Sequence, residues 1–296
     1  MRADLPMPKR LSYSSLSSYA DCGEKWRLER GYKLNGATWY ATLAGSAIHE
    51  VTEKMDLKEL GLFDEEVPTF ESEFRSRVNQ ERKLGREIKP SGRKLKENSL
   101  AGGPNKKDFD WWLIYGPQFV QNWVDWKFLK SWTLAIMPDG SPGIEVTVRQ
   151  PMGGKEHLGF IDRVYVTPDG DLVIVDLKSG NIPTSDLQLG SYGVGLWREY
   201  GLLAEWGTYW MASTGQLTML KDLSQYSEEF IDAQYEMAWN GIQAGVFLPN
   251  VSSLCKGCGV QDYCRAVGGG SSHEVPVRSI VVPGEQVTAD TTGGNE

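Results

Sequence analysis

GFIDRVYVTPDGDLVIVDLKSG, residues 159–180, sets charged side chains into an otherwise apolar pair of strands. Ile161, Val164 and Val166 surround Asp162, Pro168-Asp169-Gly170 is a turn signal, and Leu172-Val173-Ile174-Val175 leads into Asp176. The stretch predicts a hairpin. Strand side chains alternate faces, so Asp176 and Lys178 share one side with Leu177 on the other, and a paired strand brings Asp162 close to both. An Asp-x-Lys at a strand end is ordinarily a solvated edge with a weak surface ion pair. Asp162 is a different case, because an acid among Phe160, Ile161 and Val164 is costly to bury without an ion pair or a metal.

Outward from the hairpin, residues 144–148 alternate as IEVTV, and residues 205–212 and 216–220 predict two further strands. Between them, 185–200 predicts a helix with Gln188 and Tyr192 one turn apart on one face. An amphipathic helix follows over 226–244, through Phe230, Ile231, Tyr235, Ala238 and Ile242. Strands, a helix and more strands point to an α/β fold with a mixed sheet flanked by helices. Glu145 precedes the hairpin and is a further site candidate, although a surface or ion-paired glutamate fits it better.

Upstream, a Ser-rich entry starts a helix within 11–34 that carries Cys22 in its middle. A second helix, 43–60, has Ile48, Val51 and Met55 on its apolar face and His49 beside it; such a histidine is more often a satisfied boundary residue than a ligand. Gly45, Ser46 and Ala47 permit close approach of backbone or substrate. Residues 61–132 read as a helical insertion: a helix near 70–84, a basic Gly-containing stretch over 86–107 that fits a solvated linker better than a DNA-contacting arm, and a long helix over 108–132 that Pro117 kinks or restarts. Residues 1–267 are expected to form a single domain and 268–296 a disordered tail.

The 296 residues can bury a substantial core, and the net charge of −8 argues against indiscriminate coating of nucleic acid while leaving room for a local basic groove. Eleven Trp and twelve Tyr suit a thick core first and base stacking second. No apolar run reaches the length of a membrane span and no signal peptide is evident, so a cytoplasmic protein with no membrane partner is expected. There is no Gly-x4-Gly-Lys-Ser/Thr phosphate loop, hence no recognisable motor.

Cys255-x2-Cys258-x5-Cys264 forms a tight cluster, and Cys22 lies more than two hundred residues earlier. Clustered thiols in an intracellular protein favour metal over disulfides. Three plus one suits either an iron–sulfur cluster or a structural zinc, and either would join the first helix to the 255–264 loop.

The order Gly45-x3-His49, Gly159-x2-Asp162, Asp176-x-Lys178-x-Gly180, Gln188-x3-Tyr192 resembles the RecB-like branch of the PD-(D/E)xK nuclease superfamily, over roughly residues 11–267. The cysteine pattern is similar to the iron–sulfur staple of the AddB nuclease domain and of CRISPR-associated RecB-like exonucleases. The resemblance implies a restriction-endonuclease-like fold with a [4Fe–4S] cluster on Cys22, Cys255, Cys258 and Cys264. It implies Mg²⁺ or Mn²⁺ held by His49, Asp162 and Asp176, with the Leu177 carbonyl completing the shell. The resemblance also implies that Lys178 positions or activates the attacking water and stabilises phosphate charge, with Gln188 and Tyr192 orienting the DNA backbone or supporting Lys178. The implied function is a metal-dependent exonuclease of phage or prokaryotic type. It would act on single-stranded DNA or DNA ends in recombination, repair or phage DNA processing, with a separate helicase or recombination protein as partner. Two alternatives share these residues: an accessory nuclease for CRISPR spacer acquisition, and a non-catalytic DNA-binding module on a nuclease fold.

Overall fold

The structure, a computed structural model, describes residues 3–34, 36–91 and 107–282. In chain order the elements begin with β1 (Asp4–Pro6), α1 (Tyr13–Asp21) and α2 (Gly23–Trp26), which runs into one π-helical turn (Arg27–Gly31). There follow β2 (Thr38–Trp39), α3 (Tyr40–Glu59), α4 (Phe70–Lys83), β3 (Ile88–Lys89), α5 (Phe109–Leu129), β4 (Thr133–Leu134) and β5 (Ile144–Val148). The remainder comprises β6 (Gly159–Val166), β7 (Leu172–Lys178), α6 (Leu187–Tyr200), β8 (Trp206–Met211), β9 (Gln216–Leu217), β10 (Lys221–Asp222), α7 (Glu228–Gln243) and β11 (Ile280–Val282). The chain divides into two compact units, one formed by residues up to 34 together with those from 235 on, the other by 35–234.

The larger unit is built on a mixed sheet of order β10-β8-β7-β6-β4, with β5 also paired to β6 and β9 to β8. β6 and β7 are the expected antiparallel hairpin. Its turn closes with Gly170 at φ +93°, a conformation that only glycine adopts without strain, while Gly170 N–H donates to the Thr167 carbonyl at 3.0 Å. β8 runs parallel to β7, so the chain must cross over, and α6 makes that crossover. β7 is buried on both faces, which explains its continuous apolar run. Val173, Val175 and Leu177 join Ala44, Ile48, Phe74, Trp112 and Trp123 from α3, α4 and α5. Ile174 packs instead with Leu189, Tyr192 and Leu196 of α6. Alternation thus places Asp176 and Lys178 on the α6 side of the strand.

Beneath the sheet lies one charged network. Arg163, 1 % exposed, donates from Nε to Asp56 Oδ2 at 2.7 Å, and Asp56 also accepts from Trp123 Nε1 at 3.1 Å and pairs with Lys127. A buried guanidinium without such partners would be prohibitive, so this network fixes β6 against α3 and α5.

Three expectations are corrected. Cys22 does not sit inside a helix: it is extended (φ −164°, ψ 104°), ends α1 and caps α2, its Sγ accepting from Lys25 N–H. Of the two outcomes expected at Pro117, a kink or a restart, the restart is excluded, because Pro117 lies inside the continuous α5. The tail does not begin at 268, because Val275 is 2 % exposed in a small cluster with Leu28 and Val260, and β11 pairs in parallel with β1. Residues 283–296 lie outside the described residues, as does most of the basic stretch over 86–107. Among the described residues no helix is long and apolar enough to cross a membrane.

Candidate metal centre and active site

Strand register assembles the acids. The pairs Ile144–Arg163 and Val146–Ile161 set Glu145 across from Asp162, and one step beyond the Arg163–Val175 pair Asp162 lies across from Asp176. Three carboxylates on three neighbouring strands repel one another, and the arrangement requires cations. α3 and β7 supply two. Gly45 lets α3 approach, since a Cβ there would stand 2.6 Å from Ser179 Oγ. One helical turn on, His49 Nδ1 is 3.4 Å from Asp162 Oδ1, and His49 Nε2 shares a hydrogen bond of 2.9 Å with the Leu177 carbonyl. Leu177 N–H in turn donates to Asp162 Oδ2 at 2.6 Å.

Lys178 provides the second cation, 2.6 Å from Asp176 Oδ2. Lys178 Nζ donates to Gln188 Oε1 and Gln188 Nε2 to the Tyr192 hydroxyl, each at 2.9 Å. The spacing of Gln188 and Tyr192 on α6 therefore makes one relay ending on the ammonium. Tyr209 places its ring 5.8 Å from the same Nζ.

The environment separates the carboxyls. Burial and the neighbouring Asp162 push Asp176 up to about 7, against the pull of Lys178. Glu145 is likewise pushed up to about 7 by burial and by Asp162. Asp162 goes the other way: although burial raises it, His49, the Leu177 N–H and Arg163 hold it below the usual range. Burial alone would lower His49, but Asp162, Asp176 and Glu145 raise it to about 9.

Among the described residues, one group of three places ligand atoms within 4.8 Å of one another: His49, Glu145 and Asp162. Sequence reasoning put His49 and Asp162 in the metal set and Asp176 as the third member, and it favoured a surface or ion-paired role for Glu145. Here Asp176 is drawn to Lys178, while Glu145 joins the group. Glu145 is one of two non-glycine residues with positive φ among those described, at +46°. Such strain costs about 1 kcal/mol or more and tends to sit where geometry serves a site. The signal that would have found it is an acid in the strand beside the hairpin, but register across two strands was needed to use it. Arg163, equally unforeseen, donates to the Asp162 carbonyl at 2.6 Å and lies 3.8 Å from Glu145, steadying both.

In the smaller unit Cys22, Cys255, Cys258 and Cys264 line one pocket, with Lys25, Leu28 and Val260 among its other walls. All four are free thiols. Cys22 Sγ accepts from Lys25 N–H and Asn250 N–H, and Cys255 Sγ from Ser252 N–H, each at 3.4 Å. Burial raises Cys258 and Cys264. No three of these sulfurs lie within 4.8 Å of each other.

The sequence profile of the PD-(D/E)XK nuclease superfamily matches residues 10–265. The chain is 28 % identical over 287 residues to the Gene 69 protein of Mycobacterium phage D29, covering 88 % of this chain and 97 % of that protein. It is also 28 % identical over 285 residues to the Gene 69 protein of Mycobacterium phage L5, covering 86 % and 95 %. A crystal structure from Eubacterium rectale, provisionally named an exonuclease, superposes with a TM-score of 0.45 at 11 % identity, covering 84 % of this chain and 87 % of that one.

Proposed function

Because the chain belongs to the PD-(D/E)XK nuclease superfamily, we propose that the cluster around Asp162 hydrolyses DNA phosphodiester bonds as a divalent-metal-dependent exonuclease. The observation that carries this reading is the convergence of His49, Glu145 and Asp162 within 4.8 Å beside an Asp176–Lys178 pair. Carboxylate oxygens with one imidazole suit Mg²⁺ or Mn²⁺, the imidazole favouring the latter. His49, Asp162 and Glu145 would hold the ion, Asp176 and the Leu177 carbonyl lying beside them. A bound divalent cation supplies positive charge to the phosphate and acidifies water.

The side chains divide the remaining work. Lys178 positions the attacking water and neutralises charge building on the phosphate oxygens. Gln188, itself held by Tyr192, fixes the ammonium, so the cation needs no reorganisation as charge develops. Asp176, poised near neutrality by burial, accepts a proton at Oδ2 within reach of Lys178. Single-stranded DNA or DNA ends are the proposed substrates. Relatives from two phages favour a role in phage DNA processing or recombination. The nuclease would act alone on such ends or with a separate helicase or recombination protein as partner.

For the cysteine pocket we propose a [4Fe–4S] cluster that staples the smaller unit. What supports this reading is that all four free thiols, three from one short loop and one from the α1–α2 junction, line the same pocket.

A time course on 5′- and 3′-labelled single- and double-stranded DNA with Mn²⁺, Mg²⁺ and EDTA tests the activity. Stepwise shortening from one end, abolished by EDTA, is expected. Binding without shortening in either metal would leave a DNA-binding module and end the nuclease reading.

A further inference from the structure

We propose that Arg77, on the helical insertion, binds the phosphate backbone of DNA at the mouth of the site; this rests on the nuclease reading above. A cavity of about 410 Å³ opens beside the prospective metal ligands and is lined by Gly45, Ser46, His49, Glu50, Glu53, Arg77 and Glu145. Its wall includes three glutamates and one permanently charged cation. A polyanion crossing such a mouth is repelled unless a positive group receives it, and a guanidinium fork matches two phosphate oxygens at once.

The simpler alternative makes Arg77 a clamp between α3 and α4. It lies 2.8 Å from Glu73 on its own helix and 3.5 Å from Glu50 on α3. Two observations favour more than a clamp. Glu50 already has Lys54 at 2.7 Å, so its charge does not depend on Arg77. Both of its glutamate contacts run through Nη2 alone and the side chain stays 29 % exposed, so the fork is not fully used by its two glutamates. Arg75, two residues earlier, offers an internal control. It makes the same i,i+4 pair with Glu71 at 2.8 Å but does not line the mouth.

The test compares Arg77→Gln, Arg77→Lys, Glu73→Gln and Arg75→Gln in Mn²⁺-dependent cleavage. Binding is measured against salt in a Lys178→Ala background. Arg77→Gln should raise KM about tenfold, the worth of one charge-assisted contact, with kcat nearly unchanged. It should also make the salt dependence shallower by about 0.7 if the bound backbone is single-stranded and by about 0.9 if it is duplex. Arg77→Lys keeps the charge without the fork and should fall between. Glu73→Gln frees the guanidinium and should lower KM, whereas a mere clamp would lose melting temperature with KM unchanged. Arg75→Gln should do nothing to either measure. The proposal is overturned if folded Arg77→Gln keeps wild-type KM and salt slope, or if Arg75→Gln matches its losses. Absence of cleavage by the wild type would instead remove the nuclease reading and this inference with it.

Discussion

The carboxylate cluster of the larger unit and the cysteine pocket of the smaller one present metal-ligating groups by opposite means. Glu145, Asp162 and Asp176 stand on three adjacent strands, and His49 on a 20-residue helix, so hydrogen-bonded register fixes their spacing. Cys255, Cys258 and Cys264 instead sit on or between 3-10 turns over Ser253–Gly257, Gln261–Tyr263 and Arg265–Val267, none of which contains a buried residue. Cys258 and Cys264 pack against a small cluster of Leu28, Val260 and Val275 with the partly buried Tyr32, Leu34 and Tyr263. Where the fold already supplies rigidity, a metal contributes chemistry. Where the scaffold is loop, the proposed bound group would contribute the rigidity itself.

The largest expected effect breaks one region without touching the other. Asp176→Ala or Lys178→Ala should lower kcat by about 10³-fold or more, consistent with losing both charge stabilisation and proton handling. The visible absorbance of an iron–sulfur cluster should stay at wild-type strength in the same samples. Cys258→Ser is the converse cut: iron content, soluble yield and DNA processing should fall together. A stable, fully active Cys258→Ser protein would show that the pocket is no staple.

Acidity separates the two regions next. In chelator-treated protein, Asp176 and Glu145 titrate near 7 against ordinary values of 3.8 and 4.5, and His49 near 9 against 6.5. All three are raised, so the folded state binds more protons than the unfolded one at intermediate pH. Their contribution to stability is fully present below pH 4 and is lost as pH rises through 7 and then 9. Urea denaturation in EDTA should therefore show stability declining across this range. Mn²⁺ should restore it most at the alkaline end, because the ligands must lose those protons to bind. Stability rising with pH in EDTA would contradict the arrangement.

The smallest effect sharpens the account of Lys178. Gln188→Ala or Tyr192→Phe should reduce kcat by about tenfold, the usual cost of losing an orienting partner, with DNA affinity and cluster content unchanged. A loss as deep as that of Lys178→Ala would mean that Gln188 contacts substrate itself.

The hairpin, the mixed sheet and the shared helix face of Gln188 and Tyr192 were legible because they follow from periodicity and spacing, alternation across 159–180 and a Gln188-x3-Tyr192 step, whereas the link of that pair to Lys178 came from the family resemblance. Glu145 was legible only as an acid in a strand. Its place at the site depends on pairing with β6 and on a positive φ that nothing in IEVTV announces. Cys22 misled for a related reason. The residues around it have helical propensity on both sides, and the break comes from tertiary demands on one thiol, with Asn250, 228 positions away, donating to it. Arg163 takes its role only from the meeting of α3, α5 and β6, which gives it Asp56 as a partner.

Leu177 joins two members of the site, Asp162 and His49, and neither link runs through its side chain. Its N–H is committed to Asp162 and its carbonyl to His49, while the isobutyl group packs into the core among aromatic residues. An alanine scan would register this position as one more apolar contact and attribute the loss to a cavity. Comparing residue types would also pass it over, since isoleucine or valine presents the same peptide plane. Its amide proton is the better witness: held by a charged acceptor at 2.6 Å, it should resonate far downfield and shift when the site is loaded, giving one signal that reads out the whole centre.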